Sequence, residues 1–204
     1  MGFHVNTFTH ILEGYKVADK LREHNANAST FSDWWGYKYE VREAIPYNAA
    51  ILSKVGVNTG INSDDAEMGR RLNQEAAKIV KYGGISEEEA WKMVTLNPAK
   101  MLHLDDRIGS IEKGKDADLV LWNTNPLSIG AIPQMTFIDG YKYFDIQSDK
   151  ELLKVKHGER QRLIQRMLAE KESGAKTRKA MGQKEHHWHC DSIGEEPYEL
   201  HDHE

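Results

Sequence analysis

Val55-Gly56-Val57-Asn58-Thr59-Gly60-Ile61-Asn62-Ser63-Asp64-Asp65 reads as a short β-strand over 55–61 that stops at a polar cluster. Its Val, Thr and Ile favour extended backbone. From about Ala66 to Tyr82 a helix follows, with Leu72, Ala76, Ile79 and Val80 on one face and Gly83-Gly84 as its stop. The same strand–helix phrase occurs twice upstream. Ala28 to Ser32 reads as a strand ending in Asp33-Trp34-Trp35, and Pro46 suits the first turn of a helix reaching about Lys54. Phe3 to Phe8 reads as a strand ending in Thr9-His10, and Ile11, Tyr15, Ala18 and Leu21 recur at helical spacing.

Three consecutive strand–helix units predict parallel strands joined by right-handed crossovers. If the strands lie in sequential order, their helices share one face of the sheet and the other face needs a cover. A closed (β/α)8 TIM barrel supplies that cover from its other strands, but three strands cannot close one. Both sheet edges would also stand unpaired. The fold class expected is therefore α/β, a partial barrel whose remaining strands lie elsewhere. In such barrels chemistry gathers at the C-terminal strand ends. Here those ends carry His10, Asp33 and Asp64-Asp65.

Downstream, Ser86-Glu87-Glu88-Glu89 reads as a capping box before a helix ending near Asn97-Pro98, and Ala99 to His103 as a short helix. The chain then changes character. Ala117 to Trp122 reads as a strand, and Asp139-Gly140 between Met135–Ile138 and Tyr141–Phe144 is a hairpin signal. Glu151 to Lys171 reads as a charged helix, weakened at Gly158. From Ser173 the chain is polar and rich in His, Lys and Glu.

Of 204 residues, 39% are hydrophobic and 29% charged, an ordinary balance for a domain with a moderate core. The net charge of -5 offers no basic footprint, so no nucleic-acid partner is expected. No apolar run reaches the length of a membrane span, and the first residues lack the pattern of a secretory signal. The single cysteine, Cys190, excludes an intrachain disulfide.

Thr95-Leu96-Asn97-Pro98-Ala99-Lys100-Met101-Leu102 followed by Gly109-Ser110-Ile111-Glu112-Lys113-Gly114-Lys115-Asp116-Ala117-Asp118-Leu119-Val120-Leu121-Trp122 resembles the C-terminal end of a metal-dependent amidohydrolase of the imidazolonepropionase-like branch. Thr9-His10-Ile11-Leu12-Glu13-Gly14-Tyr15-Lys16, Ser29-Thr30-Phe31-Ser32-Asp33-Trp34-Trp35 and Ile61-Asn62-Ser63-Asp64 are similar to the ends of that family's sixth, seventh and eighth barrel strands. The resemblance implies that residues 1–104 are the last three βα units of the barrel and 105–145 part of a small β-sandwich. A charged helix over 146–172 and a His-rich tail over 173–204 complete the division.

It implies further that His10 faces a metal centre and that Asp64 both binds the metal and acts as general base. The cofactor implied is a divalent metal, zinc. Such a cation acidifies water towards a pKa of ~7, and a neighbouring carboxylate can carry the proton to a leaving nitrogen. The implied reaction is hydrolysis of a non-peptide C–N bond in a small-molecule amide or cyclic amide. The family's first strand supplies a His-x-His pair, and none precedes His10; His4 stands alone. His10 and Asp64 make two ligands where a catalytic zinc takes three. An incomplete enzyme is therefore expected, joined by an N-terminal barrel half or assembled as a homo-oligomer. The rival readings are a non-catalytic fragment binding a partner through its uncovered sheet, and a complementing subunit.

Several residues have a plainer reading. His10 could be a surface histidine, and Asp64, Ser63 or Asp65 could cap the following helix. Asp33 serves equally as a loop residue or a substrate contact. Trp34 and Trp35 fit burial against helices or a pocket lining. Glu87, Glu88 and Glu89 are a helix start. His186-His187-Trp188-His189-Cys190 and His201-Asp202-His203 have ligand chemistry but match no structural zinc spacing.

Overall fold

The computed structural model describes residues 2–176 and residue 178, so the His-rich sequences after them lie outside the described residues. Strands β1 (Thr7–Phe8), β2 (Asn27–Thr30) and β3 (Thr59–Ile61) form a parallel sheet in sequential order. All are shorter than their sequences suggest. Val55 and Gly56 instead end the preceding helix, and Asn6 O and Asn58 O accept the backbone N–H groups of Asn27 and Ala28 just ahead of the paired residues.

Between β1 and β2 the helix is split into a 3-10 turn, Gly14–Val17, and α1, Ala18–Glu23. α2 (Asn48–Val55) links β2 to β3 and ends in a left-handed Gly56. The single helix expected after β3 is divided into α3 (Ala66–Gly69) and α4 (Leu72–Gly83). The capping box before α5 (Glu87–Lys92) is half formed. Ser86 Oγ accepts from the Glu89 N–H, while the Glu89 carboxylate binds Lys92 Nζ at 2.9 Å. Pro98 lies inside α6 (Leu96–Met101), in the first turn, where a missing N–H leaves no helix bond unmade.

β2 and β3 are buried on both faces, and two hydrophobic clusters build the core. Ala28 packs with Ala18, Leu21, Leu52 and Val57 under α1 and α2, and Ile61 with Ala49, Ala50, Ile79 and Met93. The outer edge of β3 is not bare, as a torn sheet would leave it. Ile61 N–H donates to Met93 O at 2.9 Å, and the Asn97 side chain donates to Thr59 O at 2.8 Å. A Cβ on Gly60 would sit 3.1 Å from Met101 Cε, so Met101 covers the strand where it has no side chain of its own.

Gly109 explains the turn that follows. Its φ is +89, and a Cβ there would stand 2.8 Å from Ala99 Cβ and 3.0 Å from Leu96 Cα. Only glycine meets both demands at once. β4 (Leu119–Trp122), β5 (Pro133–Ile138) and β6 (Tyr141–Asp145) then form an antiparallel sheet. Asp139 and Gly140 both have positive φ, 50 and 77, as a type I′ hairpin turn requires. α7 runs unbroken through Gly158 from Ile146 to Glu172, with no buried residue. The chain divides after Leu152 into two compact units, and the helical part of the second, from Leu153 to Glu172, is exposed. No helix among the described residues is long and apolar enough to cross a membrane.

Candidate functional site at the strand ends

The two ends of the parallel sheet are chemically different. At the N-terminal end, asparagines satisfy one another and the backbone. Asn58 donates to Asn27 Oδ1 (2.9 Å), Asn27 to Asn6 O (2.8 Å), and Asn6 to Met101 O (2.7 Å). At the C-terminal end, three loops bring His10, the Asp33-Trp34-Trp35 turn and Asp64 to one rim.

His10 stands just past β1 with φ +56, a left-handed conformation uncommon outside glycine. The residue after it anchors it. Ile11 N–H donates to Ser29 O at 3.1 Å, and Ile11 O accepts from Asn48 Nδ2 at 2.8 Å. Asn48 is 2% exposed; its amide also donates to Thr30 Oγ1 (3.0 Å) and accepts from the Tyr15 N–H (2.8 Å). One buried amide thus ties α2 to β2 and to the turn carrying His10.

His10 Nε2 lies 3.5 Å from Asp64 Oδ1, with the two side chains 49% and 40% exposed. The separation exceeds the ~2.7–3.2 Å of an N–H···O hydrogen bond. It lies within ion-pair range and close to the spacing of two donors on one tetrahedral cation. At ~2.1 Å from the ion and a tetrahedral angle, two donor atoms stand ~3.4 Å apart. The set nonetheless falls short, since no group of three or more His, Cys, Asp or Glu side chains among the described residues could hold a metal ion. The cap of α3 belongs to Asp65, whose Oδ1 accepts from the N–H groups of Glu67 (2.8 Å) and Met68 (3.0 Å). Asn62 Oδ1, at the same strand end, is buried without a hydrogen-bond partner among the described residues.

Asp33 is engaged in an ionic cluster. Lys78 Nζ bonds its carboxylate and also Glu75 Oε1 at 2.8 Å, and Ser32 Oγ donates to Glu75 Oε2. Glu75 is 4% exposed, so its charge is buried and compensated. Burial opposes the charge of Lys78, but the bonds from Asp33 and Glu75 prevail and raise its pKa above the usual lysine value. Sequence reading missed both Asn48 and Glu75. Each sits on a helix face that reads as core, and a polar residue at an apolar position was the available signal.

A sequence model of the Amidohydrolase family matches residues 9–158. An amidohydrolase of Hapsidospora irregularis is 31% identical over 148 residues, 70% of this chain and 15% of the relative. A urease alpha subunit of Brucella abortus is 34% identical over 134 residues, 57% of this chain and 23% of that one. Among solved structures, an amidohydrolase from Thermotoga maritima superposes with a TM-score of 0.64 at 33% identity, over 68% of this chain and 37% of the other. A zinc-bound adenosine deaminase from Xanthomonas campestris shares the fold at TM-score 0.54 and 19% identity, over 69% of this chain and 38% of the other. The chain spans less than a quarter of the curated relatives' length. With the match covering most of its residues and its α/β fold shared with solved amidohydrolases, the chain belongs to the amidohydrolase family.

Proposed function

We propose that this chain is the C-terminal part of a metal-dependent hydrolase of the imidazolonepropionase-like branch, acting on a non-peptide C–N bond of a small amide or cyclic amide. Residues 1–104 are then the last three βα units of its barrel, 105–145 part of its small sandwich and 146–172 an appended helix. His10 and Asp64 are two of its metal ligands, and zinc is the metal their chemistry suits. The observation that carries this reading is the 3.5 Å approach of His10 Nε2 to Asp64 Oδ1 at the C-terminal rim of a parallel sheet. With further ligands from outside this chain, His10 and Asp64 would hold a divalent cation, and that cation would acidify water at neutral pH. Asp64 would then be placed to take a proton from water and pass it to a leaving nitrogen, and His10 would help hold the ion.

Incompleteness of the centre is supported by the two-donor set and by a groove along β1. Phe3, Val5, Phe8, Val17 and Leu21 line that groove, and another strand–helix unit would cover it. A companion chain or the rest of a longer protein would supply the missing ligands.

Zinc titration by calorimetry, on a variant ending at Lys176, tests the reading without interference from tail histidines. Weak uptake is expected, abolished in both His10→Ala and Asp64→Asn. Hydrolysis of N-acyl and cyclic amides by this chain alone is expected to stay at background with added zinc. Uptake indifferent to both substitutions would remove the proposed ligands, and robust turnover would overturn the incompleteness.

A further inference from the structure

The rim carries an unbroken run of rings. His10 meets Phe31 edge-on, 5.0 Å between centroids. Phe31 lies 5.9 Å from Trp34, and Trp34 stands edge-to-face on Tyr37 at 5.0 Å. The run opens into a shallow cleft of about 380 Å³ lined by Asp33, Trp34, Trp35, Tyr37 and Met68.

We infer that this cleft is a specificity pocket. Resting on the function proposed above, it takes an uncharged apolar side chain, aromatic by preference, from an amide substrate whose scissile C–N bond lies at His10 and Asp64. Continuity is the first argument, because the imidazole that neighbours Asp64 packs on the buried Phe31 ring, which packs in turn on Trp34 of the cleft. Construction is the second. Trp34 is held at φ +74, a conformation a bulky residue keeps only where its surroundings enforce it. The enforcement is visible on both sides. Trp34 Nε1–H donates to Met68 Sδ at 2.8 Å, and the preceding residues Ser32 and Asp33 are clamped to Glu75 and Lys78 of α4. The indole is thereby locked between the loop after β2 and the helix after β3.

Charge selects against the obvious rival, a cationic guest. Asp33, the acid lining the cleft, already binds Lys78. Lys38 Nζ lies 5.6 Å from the Tyr37 ring centroid, so one cation already faces that ring and a second would be repelled. What remains to be offered is aromatic and thioether surface, which favours apolar guests.

The test is saturation-transfer NMR on the full 204-residue chain in chelator-treated buffer. The probes are N-acetyl-L-phenylalaninamide, N-acetylglycinamide and N-acetyl-L-lysinamide. The phenylalanine probe is expected to bind about tenfold more tightly than the other two, in line with burial of one apolar side chain. Trp34→Ala should erase that preference, Trp34→Phe should retain most of it, and Met68→Ala should weaken it. Circular dichroism on each variant establishes that the fold persists; if Trp34→Ala does not fold, Met68→Ala and Trp34→Phe carry the comparison. Equal binding of the three probes, a lysine preference, or an undiminished preference in folded Trp34→Ala or Met68→Ala would overturn the inference. Phenylalanine preference without zinc uptake supports the cleft and sinks the metal-site reading. Zinc uptake at His10 and Asp64 without the preference does the reverse.

Discussion

Ala28, Thr30, Thr59 and Ile61 of the parallel sheet are all buried, whereas Leu119, Val120 and Leu121 of the antiparallel sheet remain 37%, 45% and 54% exposed. Both sheets have three hydrogen-bonded strands, so ladder formation does not account for the difference. Connectivity does. A parallel pair needs a crossover, and the crossovers here deliver α1 and α2 onto the sheet they connect. A hairpin brings no covering layer with it. A sheet that is hydrophobic on a face must bury it against some other element. In β4 successive apolar residues point to opposite faces, and both remain open to a cover. Pairing and burial are therefore separable in this molecule: β2 and β3 have both, whereas β1, with Phe8 39% exposed, and β4 have pairing without full cover.

Leu52→Ala puts the contrast at greatest risk. Leu52 is fully buried, so the substitution is expected to remove about 2–5 kcal/mol of stability in urea unfolding, while Leu121→Ala removes no more than about 0.5 kcal/mol. Comparable losses would mean that another surface covers β4 in solution. Asn48→Ala should remove about 1–3 kcal/mol, since several buried partners lose their hydrogen bonds together. It should also shift the His10 imidazole resonances, and a loss of stability with unmoved resonances would deny Asn48 its hold on the rim.

Smaller effects follow from charge. Lys78 has a raised pKa, so its contribution is full below the unfolded value of 10.5 and fades as pH rises through the folded one. Tryptophan fluorescence of the rim loop should thus change above about pH 10.5 in the native chain and not in Lys78→Met. The least effect belongs to the second region. Asp145 bonds Lys142 Nζ at 2.6 Å and accepts from the Gln147 N–H at 3.0 Å, and these bonds lower its pKa from 3.8. Its contribution is present above 3.8 and is lost as pH falls through the lowered value. Asp145→Asn should flatten the acid limb of a helicity titration in that range, leaving the rim untouched.

Much of the rim was legible in residue order alone. A polar cluster directly after a β-favouring run marks a strand end, and three such clusters at βα spacing place His10, Asp33 and Asp64 on one side of a parallel sheet. The cap between Ser63, Asp64 and Asp65 was not legible, because all three residue types serve and only backbone geometry chooses Asp65. Asp33 likewise turned on a distant partner, since Lys78 lies 45 positions away. The sequence after β3 reads as one helix, yet the structure breaks it at Arg70-Arg71, where both residues have fair helix propensity.

From the sequence came what short-range chemistry controls: strand and helix periods, the Asp139-Gly140 turn, the serine cap at Ser86, and a family resemblance carried by contiguous residues. Tertiary structure alone decided what depends on distant neighbours: the His10–Asp64 spacing, the Asn48 and Glu75 anchors, the ring wall to Tyr37, and the closure of the β3 edge by Met93 and Asn97. The division is physical. Propensity acts over a few bonds, whereas the direction of a side chain at a strand end is set by groups that the fold brings together from tens of residues away.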